Sequence, residues 1–455
     1  MKNLLSKIFT KTDSKNYYYK SFENINKKTN IEKIFNSITN FSEKSEIRYV
    51  GGSIRKIINN EKIDDIDLAT NITPQKVCEI LSKNNISFYE SGIEHGTITA
   101  KINDYKFEIT TLRKDVSTDG RFAKVEFSND WYEDASRRDF TFNAIYADLN
   151  GNLYDPFNGK KDLEFGKVNF IGDPEKRIKE DYLRILRYVR FFLNYSKVDH
   201  SESLKKTIMQ NLNGMSKISS DRQLDELKKL VLSKGFLKLS KDKFCQEIIT
   251  LLFPQLININ IFKNINNISK KIIEKKDFIF FISLMIIDDK DNSEYFIYKY
   301  NISNEDKKRI RFLSNIYSKN LDKNIFKEKS LWKILYTNGK EYLIDLIDFK
   351  ILKDKKVDKN LLKLKTFFSN QEPPKFHIKA KTLIEKFNYK EGKELGAKLK
   401  EIEEFWIENS FKISDQELKK LIMMEKLFLD LQSTCKIWIQ MKIQNINLSE
   451  KMRLI

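Results

Sequence analysis

A change of texture at Val168 constrains this chain more than any other feature. Between Ile47 and about Phe165, short β-rich runs alternate with turn residues: "IRYV", "IDLAT", "TITAKI", "KFEITTL", "AKVEFS", "AIYADL" and "NLYD". Asn150-Gly151, between the last two, is a hairpin dipeptide, because both residues tolerate positive φ. After Val168 the runs stop. From Pro174 onward apolar residues recur at helical spacing, with few glycines and prolines. Pro254 and the "EPP" at 372–374 are the clearest punctuation, and no fixed-period repeat is visible. The first 45 residues are polar, with a helix expected over Ile31–Asn40. The pattern predicts an α+β fold: a mixed sheet domain, then a long helical superstructure with a break near 370. At 455 residues the chain exceeds one ordinary core.

The formal net charge of +19 suits a phosphate-rich partner, but lysine excess alone is weak evidence for one. The arginines say more. Of 14, eleven lie between Arg48 and Arg222, and only Arg309, Arg311 and Arg453 come after. A planar, bidentate fork does what a lysine point charge cannot, so this clustering marks anion recognition or ion pairing. Three cysteines (Cys78, Cys245, Cys435) without ligand spacing imply neither a disulfide framework nor a zinc motif. Three histidines (His95, His200, His377) leave few candidates for imidazole catalysis, and His95 in "IEHGT" is expected to be structural. No secretory signal stands in "MKNLLSKIFTKTD", and the most apolar run, Phe278–Ile287, is too short to span a bilayer. A reduced, soluble, cytoplasmic protein is expected, with no membrane and no obligate protein partner.

Two stretches carry candidate chemistry. In "YVGGSIRKII", a strand runs into Gly51-Gly52 and a helix begins near Ser53, so backbone N–H groups are free to meet a phosphate, with Arg55 one turn in. In "EKIDDIDLAT", Asp65 and Asp67 share one face of an expected strand, while Asp64 faces the other. Two carboxylates on one face repel unless a cation sits between them, and Mg²⁺ accepts one or two carboxylates plus substrate phosphates. Glu108 in "KFEITTLRKD", flanked by Phe107 and Ile109 on the opposite face, supplies a third carboxylate from a neighbouring strand. Such a set aligns a 3′-hydroxyl with an α-phosphate and needs no histidine or cysteine.

Gly-Gly-x-x-Arg, Asp-x-Asp and Glu108-x-x-x-x-Arg113 resemble the catalytic head of the DNA polymerase β-like nucleotidyltransferases. More closely, the chain resembles the class II tRNA nucleotidyltransferases, the CCA-adding enzymes, and their bacterial poly(A) polymerase relatives. Further motifs appear in order. "RRDFTFNAIYAD" (137–148) is similar to the sugar-selecting motif, and "DPFNGKKDL" (155–163) to the head-to-neck connector. "EDYLRILRYVRF" (180–191) resembles the nucleobase-reading helix, and "SSDRQLDELKKL" (219–230) the neck helix with its Arg222 and Glu226. The resemblance covers about Ile47–Leu230, with a looser likeness of the segment from Phe376 to the family's tail. Two departures stand out: Arg55-Lys56 replaces the usual Arg-Asp, and Ile57-Ile58-Asn59 replaces Leu-Leu-Gly.

The resemblance implies a helical extension (1–45), a nucleotidyltransferase head (46–167), a neck (168–235), a helical body (236–370) and a tRNA-binding tail (371–455). It implies Asp65 and Asp67 as metal ligands, with Glu108 as the third catalytic carboxylate and Mg²⁺ as the ion. Gly51, Gly52, Arg55, Arg138, Asp139, Asp181, Arg184, Arg187 and Arg190 are the implied nucleotide-binding residues. Asp181 and Arg184, three apart on an expected helix, are adjacent. The aspartate accepts from the exocyclic amine that C and A share, and the arginine donates to the same base edge. The implied activity is addition of C, C and A from CTP and ATP to tRNA 3′ ends. A poly(A) polymerase, or an A-only enzyme, is the same-class alternative, although the Leu-Leu-Gly-Arg-Arg-Phe-like signature of poly(A) polymerases is missing after the Asp strand. An inactive RNA-binding protein is the different-class alternative. The loop around Asp119-Gly120 is expected to be mobile, and the final stretch from Ser433 to be helical.

Overall fold

The computed structural model describes residues 18–63, 65–117, 124–288, 290–318, 323–354 and 358–423. Asp64, the Asp119-Gly120 loop and the final stretch lie outside the described residues. Nine strands are described: β1 (Ile47–Val50), β2 (Ile66–Thr70), β3 (Ser87–Gly92), β4 (Thr97–Ile102), β5 (Tyr105–Thr111), β6 (Arg113–Ser117), β7 (Lys124–Phe127), β8 (Tyr146–Ala147) and β9 (Leu153–Tyr154). Seven form one mixed sheet in the order β3-β4-β5-β2-β1-β8-β9, and β6 pairs with β7. Only β2 and β5 run parallel. β3 is a strand that the sequence pattern does not announce, since "SFYESG" lacks apolar alternation.

Alternation sets the faces. In β4, Ile98, Ala100 and Ile102 are buried; in β5, Phe107, Ile109 and Thr111 are buried while Lys106 and Glu108 are exposed. The buried positions pack beneath the helices Glu32–Thr39 and Pro74–Lys83. The N-terminal helices are part of this core: Phe22 and Phe35 each place a ring 5.0 Å from Tyr49 on β1. The Tyr49 hydroxyl donates to Asn26 at 2.5 Å. The Asn150-Gly151 hairpin forms as expected, with Ala147 opposite Leu153 and Gly151 at φ +82°.

The connector "DPFNGKKDL" ties the head to the neck. Asp155 accepts from the backbone N–H of Gly159 and Lys160, fixing the start of the helix Gly159–Phe165. A Cβ on Gly159 would lie 2.3 Å from the Thr141 carbonyl oxygen, so only glycine permits this approach. Beyond it come the neck helices Pro174–Glu180, Arg184–Tyr195 and Ser220–Val231, of which Arg184–Tyr195 packs on the head through aromatic rings. Phe140 and Phe142 each meet Phe191 edge-on at 5.2 Å, all three buried. Full burial of each ring contributes about 1.5–3 kcal/mol, so this junction is a stiff one. The apolar run from Phe278 is a buried helix, Phe278–Ile286. Among the described residues no helix is long and apolar enough to cross a membrane.

The chain divides into two compact units, 1–314 and 315–455. The second is helical among its described residues. Its buried residues include a cluster of Ile378, Leu383, Leu395, Ile402, Leu418 and Ile422, and a ring cluster around Trp332, Tyr336, Trp406 and Phe411.

Candidate active site

The carboxylates come first. The parallel register places Asp67 of β2 directly beside Glu108 of β5, on the face away from buried Leu68 and Ile109. Asp65 corrects the sequence reading: β2 begins at Ile66, so Asp65 sits in exposed chain just before the strand. The ladder with β5 starts at the Ile66–Phe107 pair, and aspartate is a poor strand former, so nothing extends the strand to it. Burial raises the Asp67 pKa; repulsion from Glu108 and Asp65 adds to this, and Arg138 and Arg55 partly offset it. A site that gathers like charges around a half-buried carboxylate is one that a cation relieves.

The donors fit a hard divalent ion: all are carboxylate oxygens, and Gly52 leaves space beside one of them. A Cβ at Gly52 would stand 3.6 Å from Asp67 Oδ2. Among the described residues, the Asp65, Asp67 and Glu108 donors do not close into a tight three-ligand cage. That suits an ion which completes its shell from substrate oxygens.

Gly51, at φ +66°, turns β1 into the helix Gly52–Ile58, and its missing side chain faces Arg138 Nη1 and the Asn143 carbonyl, each 3.5 Å from where a Cβ would sit. This turn opens one side of a cleft of about 480 Å³. All nine residues expected to bind nucleotide line it: Gly51, Gly52, Arg55, Arg138, Asp139, Asp181, Arg184, Arg187 and Arg190, together with Asp67. Arg137, Asn143, Arg222 and Lys229 line it too, so eight cationic side chains face three aspartates. A cleft of that sign and volume matches a nucleoside triphosphate.

Each arginine is aimed by a partner. Arg138 Nη2 donates to Asp134 Oδ2 at 3.1 Å and its Nε to the Tyr146 hydroxyl at 3.1 Å. Arg137 shares Asp134, with Nη2 at 2.7 Å from Oδ1. Burial pushes the Asp134 carboxyl up, but Arg138, Arg137 and the Tyr146 hydroxyl more than offset this and hold it well below the usual carboxylate range. Arg187 Nε donates to Asp139 at 2.6 Å. Burial raises Asp139, while Arg187 and Asn143 bring it down to about 2. Arg190 reaches buried Glu226 at 2.5 Å, and Arg55 donates to Asn143 Oδ1 and, at 3.2 Å, to the Tyr195 hydroxyl. Asp139, through Asn143 Nδ2 at 2.8 Å, therefore braces Arg55 as well as Arg187.

The expected Asp181–Arg184 pair needs correction. The two do not share a helix. The helix Pro174–Glu180 ends at Asp181, whose backbone is extended, and the next helix begins at Arg184. Asp181 instead accepts from Arg222 Nη2 at 2.8 Å, while Arg184 donates to Glu180 at 2.5 Å and to the Arg177 carbonyl. The Asp181 carboxylate also accepts from Leu183 N–H at 3.2 Å, a local bond that competes with continuing the helix. Both side chains still line the same cleft. Sequence reasoning missed Asp134, Asn143, Tyr146 and Arg137. Asp134 had a signal, lying three and four residues before Arg137 and Arg138 on an acidic-to-basic helical spacing.

A two-carboxylate sheet face opening on an arginine-lined cleft defines a nucleotidyltransferase head. Residues 47–169 match the family model described as the poly A polymerase head domain. The human mitochondrial CCA tRNA nucleotidyltransferase 1 is 45% identical over 196 residues, 42% of this chain and 44% of that protein. The chain thus spans under half the length of such curated relatives at this level of identity. A CCA-adding enzyme of Streptococcus uberis is 29% identical over 388 residues, 84% of this chain and 93% of the relative. The Bacillus stearothermophilus CCA-adding enzyme, solved in complex with CTP, superposes with a TM-score of 0.66, covering 88% of this chain and 97% of that one. At 19% identity this last is a likeness of fold. Over residues 47–169 the chain thus carries a poly A polymerase-type head domain, and it is similar to the class II tRNA nucleotidyltransferases. That family works with divalent metal ions.

Proposed function

We propose that this chain is a template-independent RNA nucleotidyltransferase that adds C, C and A, from CTP and ATP, to tRNA 3′ ends with release of pyrophosphate. One observation carries the reading: Asp67, the glycine turn and the neck arginines line a single cleft. The names of the relatives support tRNA as the acceptor.

Asp65 and Asp67, with Glu108 beside them, would hold Mg²⁺, which when bound lowers the pKa of the attacking hydroxyl and neutralises the leaving pyrophosphate. Arg55 and Arg138, flanking Gly51-Gly52, bind the triphosphate. Asp139 orients Arg187 and, through Asn143, Arg55. Asp181 accepts from the exocyclic amine of C or A, while Arg184 donates to the neighbouring ring acceptor, so G and U leave Asp181 unpaired. Arg222, which holds Asp181 among the neck helices, shares or yields that carboxylate when a base enters. The neck (168–235) supplies base recognition, and the body (236–370) and tail (371–455) hold the folded RNA by its phosphates and shape. The cytoplasm is the compartment we assign, by analogy with the bacterial relatives.

The test uses purified protein, Mg²⁺ and tRNA transcripts ending before CCA, after C, or after CC, with each NTP offered separately. The expected result is CMP on the first two and AMP on the third. Unlimited AMP addition to all three would make the chain a poly(A) polymerase. AMP addition to the third alone would make it an A-only enzyme. Binding without incorporation would make it an RNA-binding protein.

A further inference from the structure

We propose that His200, Asp242 and Cys245 form a zinc site that braces the neck helix Arg184–Tyr195, apart from the catalytic cleft. None of the three lines that cleft. They come from two segments. His200 precedes the helix Glu202–Asn211, while Asp242 and Cys245 stand at the N-cap and first turn of the helix Lys243–Leu252. The Cys245 N–H donates to Asp242 Oδ1 at 2.9 Å, so one helical turn presents both side chains together.

The donor atoms converge. His200 Nε2 lies 3.2 and 3.1 Å from the two Asp242 oxygens and 3.8 Å from Cys245 Sγ, and one atom from each residue falls within 4.8 Å of the others. Tetrahedral zinc, with bonds of about 2.0 Å to nitrogen and oxygen and 2.3 Å to sulfur, requires edges of about 3.3 Å for N···O and 3.5 Å for N···S. The two edges from Nε2 lie within a few tenths of an ångström of these values, and the carboxylate-to-sulfur edge is held within 4.8 Å.

The imidazole is also held as a ligand would be. Its Nδ1 is 2.8 Å from the Tyr188 hydroxyl, and its ring stacks on Phe192 at 3.5 Å between centroids, with Phe244 edge-on at 4.9 Å. An outer hydrogen bond at one ring nitrogen fixes which nitrogen meets the metal. Tyr188 and Phe192 are one turn apart on the neck helix, so a metal here would clamp that helix to the next two segments. Cys245 is buried and Asp242 keeps 22% of its side chain exposed, so the open side can admit water as a fourth ligand. One thiolate, one imidazole and one carboxylate select zinc over Mg²⁺. On binding, the Cys245 S–H bond is replaced by an S–Zn bond and its proton leaves to solvent; the imidazole keeps its proton on Nδ1, donated to Tyr188.

The test strips the full-length protein with a chelator and titrates Co²⁺ as an optical probe. One equivalent should give intense visible bands and a near-ultraviolet thiolate-to-cobalt charge-transfer band, both bleached by Zn²⁺. Asp242→Asn, which preserves the cap, should weaken Co²⁺ binding more than ~10-fold. Cys245→Ser should abolish the charge-transfer band, while Cys78→Ser and Asp67→Ala should leave it unchanged. The proposal is overturned if the wild-type protein shows no such band, or if the band survives Asp242→Asn at unchanged affinity or disappears in Cys78→Ser.

Discussion

The two compact units hold their cations differently. In the first, most cleft arginines are fixed by an acid: Arg138 and Arg137 by Asp134, Arg184 by Glu180, Arg187 by Asp139, Arg190 by Glu226 and Arg222 by Asp181, while Arg55 is held by Asn143 and the Tyr195 hydroxyl. In the second, the one arginine is Arg453, outside the described residues, and positive charge rests on lysines: Lys365 and Lys398 are held by Asp348 and Glu401, but Lys381 and Lys400 are mostly exposed and meet Glu385 and Glu404 only loosely, at 3.6 and 4.0 Å. A fixed guanidinium can read the shape of one small ligand. A mobile, hydrated ammonium tracks a phosphate backbone without specifying a base. Under the proposed function, the contrast fits chemistry and selection in the first unit and sequence-independent grip in the second.

The sharpest break of that assignment targets the carboxylates. Asp67→Ala should remove detectable CMP incorporation in single-turnover assays, a loss of ~10³-fold or more, while tRNA affinity by filter binding stays within about two-fold. Retained incorporation would move the chemistry elsewhere. Next in size is Asp134→Ala. It leaves Arg137 and Arg138 in a buried site without their carboxylate, and breaking such a pair costs about 3–5 kcal/mol. Thermal unfolding should show a large drop in Tm, and the KM for CTP should rise in whatever fraction folds. An unchanged Tm would mean the arginines need no fixing.

How far could the sequence anticipate this? The glycine turn and the placing of Asp67 beside Glu108 rest on short-range alternation and strong apolar signals, and these are legible. The break at Asp181 was not. The run from Glu180 to Phe191 has continuous helical periodicity, and only a side-chain bond from Asp181 to Leu183 N–H, with the pull of Arg222 from 41 residues away, ends the first helix. Asp65 lies just off the strand for another reason: aspartate is a poor strand former, and the ladder starts at Ile66 although β5 continues past it through Lys106. Two of the acids behind the arginines, Asp134 and Glu180, are the third omission. A charge that stabilises another from beneath is a tertiary fact, yet both left a helical spacing to find, Asp134 before Arg137 and Arg138 and Glu180 before Arg184.

Base selection gives a smaller effect. Asp181→Ala should cut the preference for CTP and ATP over UTP and GTP by about 1–3 kcal/mol, read as the ratio of kcat/KM values. Discrimination that survived unchanged would place base reading outside the Asp181 pocket. Proton linkage tests how firmly Asp139 is held. Its folded pKa of about 2 lies below the ordinary carboxylate value, so its stabilisation is complete above about pH 4 and is lost as pH falls toward 2. The wild type should lose roughly 2 kcal/mol over that window from this group, by denaturant unfolding at fixed pH. Asp139→Asn should lack that part of the slope, and identical slopes would mean that Arg187 does not hold it.

The smallest effects belong to the second unit, and they discriminate best between fixed and mobile charge. Lys375 and Lys379 are exposed in the segment that precedes the helix Ala380–Phe387. Replacing either with alanine should weaken tRNA binding only a few-fold and reduce the slope of log affinity against log salt by about 1 or less. The KM for CTP and the base preference should not move, because an exposed ammonium contributes counterion release and no directional contact. A lysine variant that relaxed base choice would erase the distinction between the units. So would an Arg190→Lys variant that changed only the salt slope: if a point charge could replace the fork opposite Glu226, the arginine clustering would have no chemical reason.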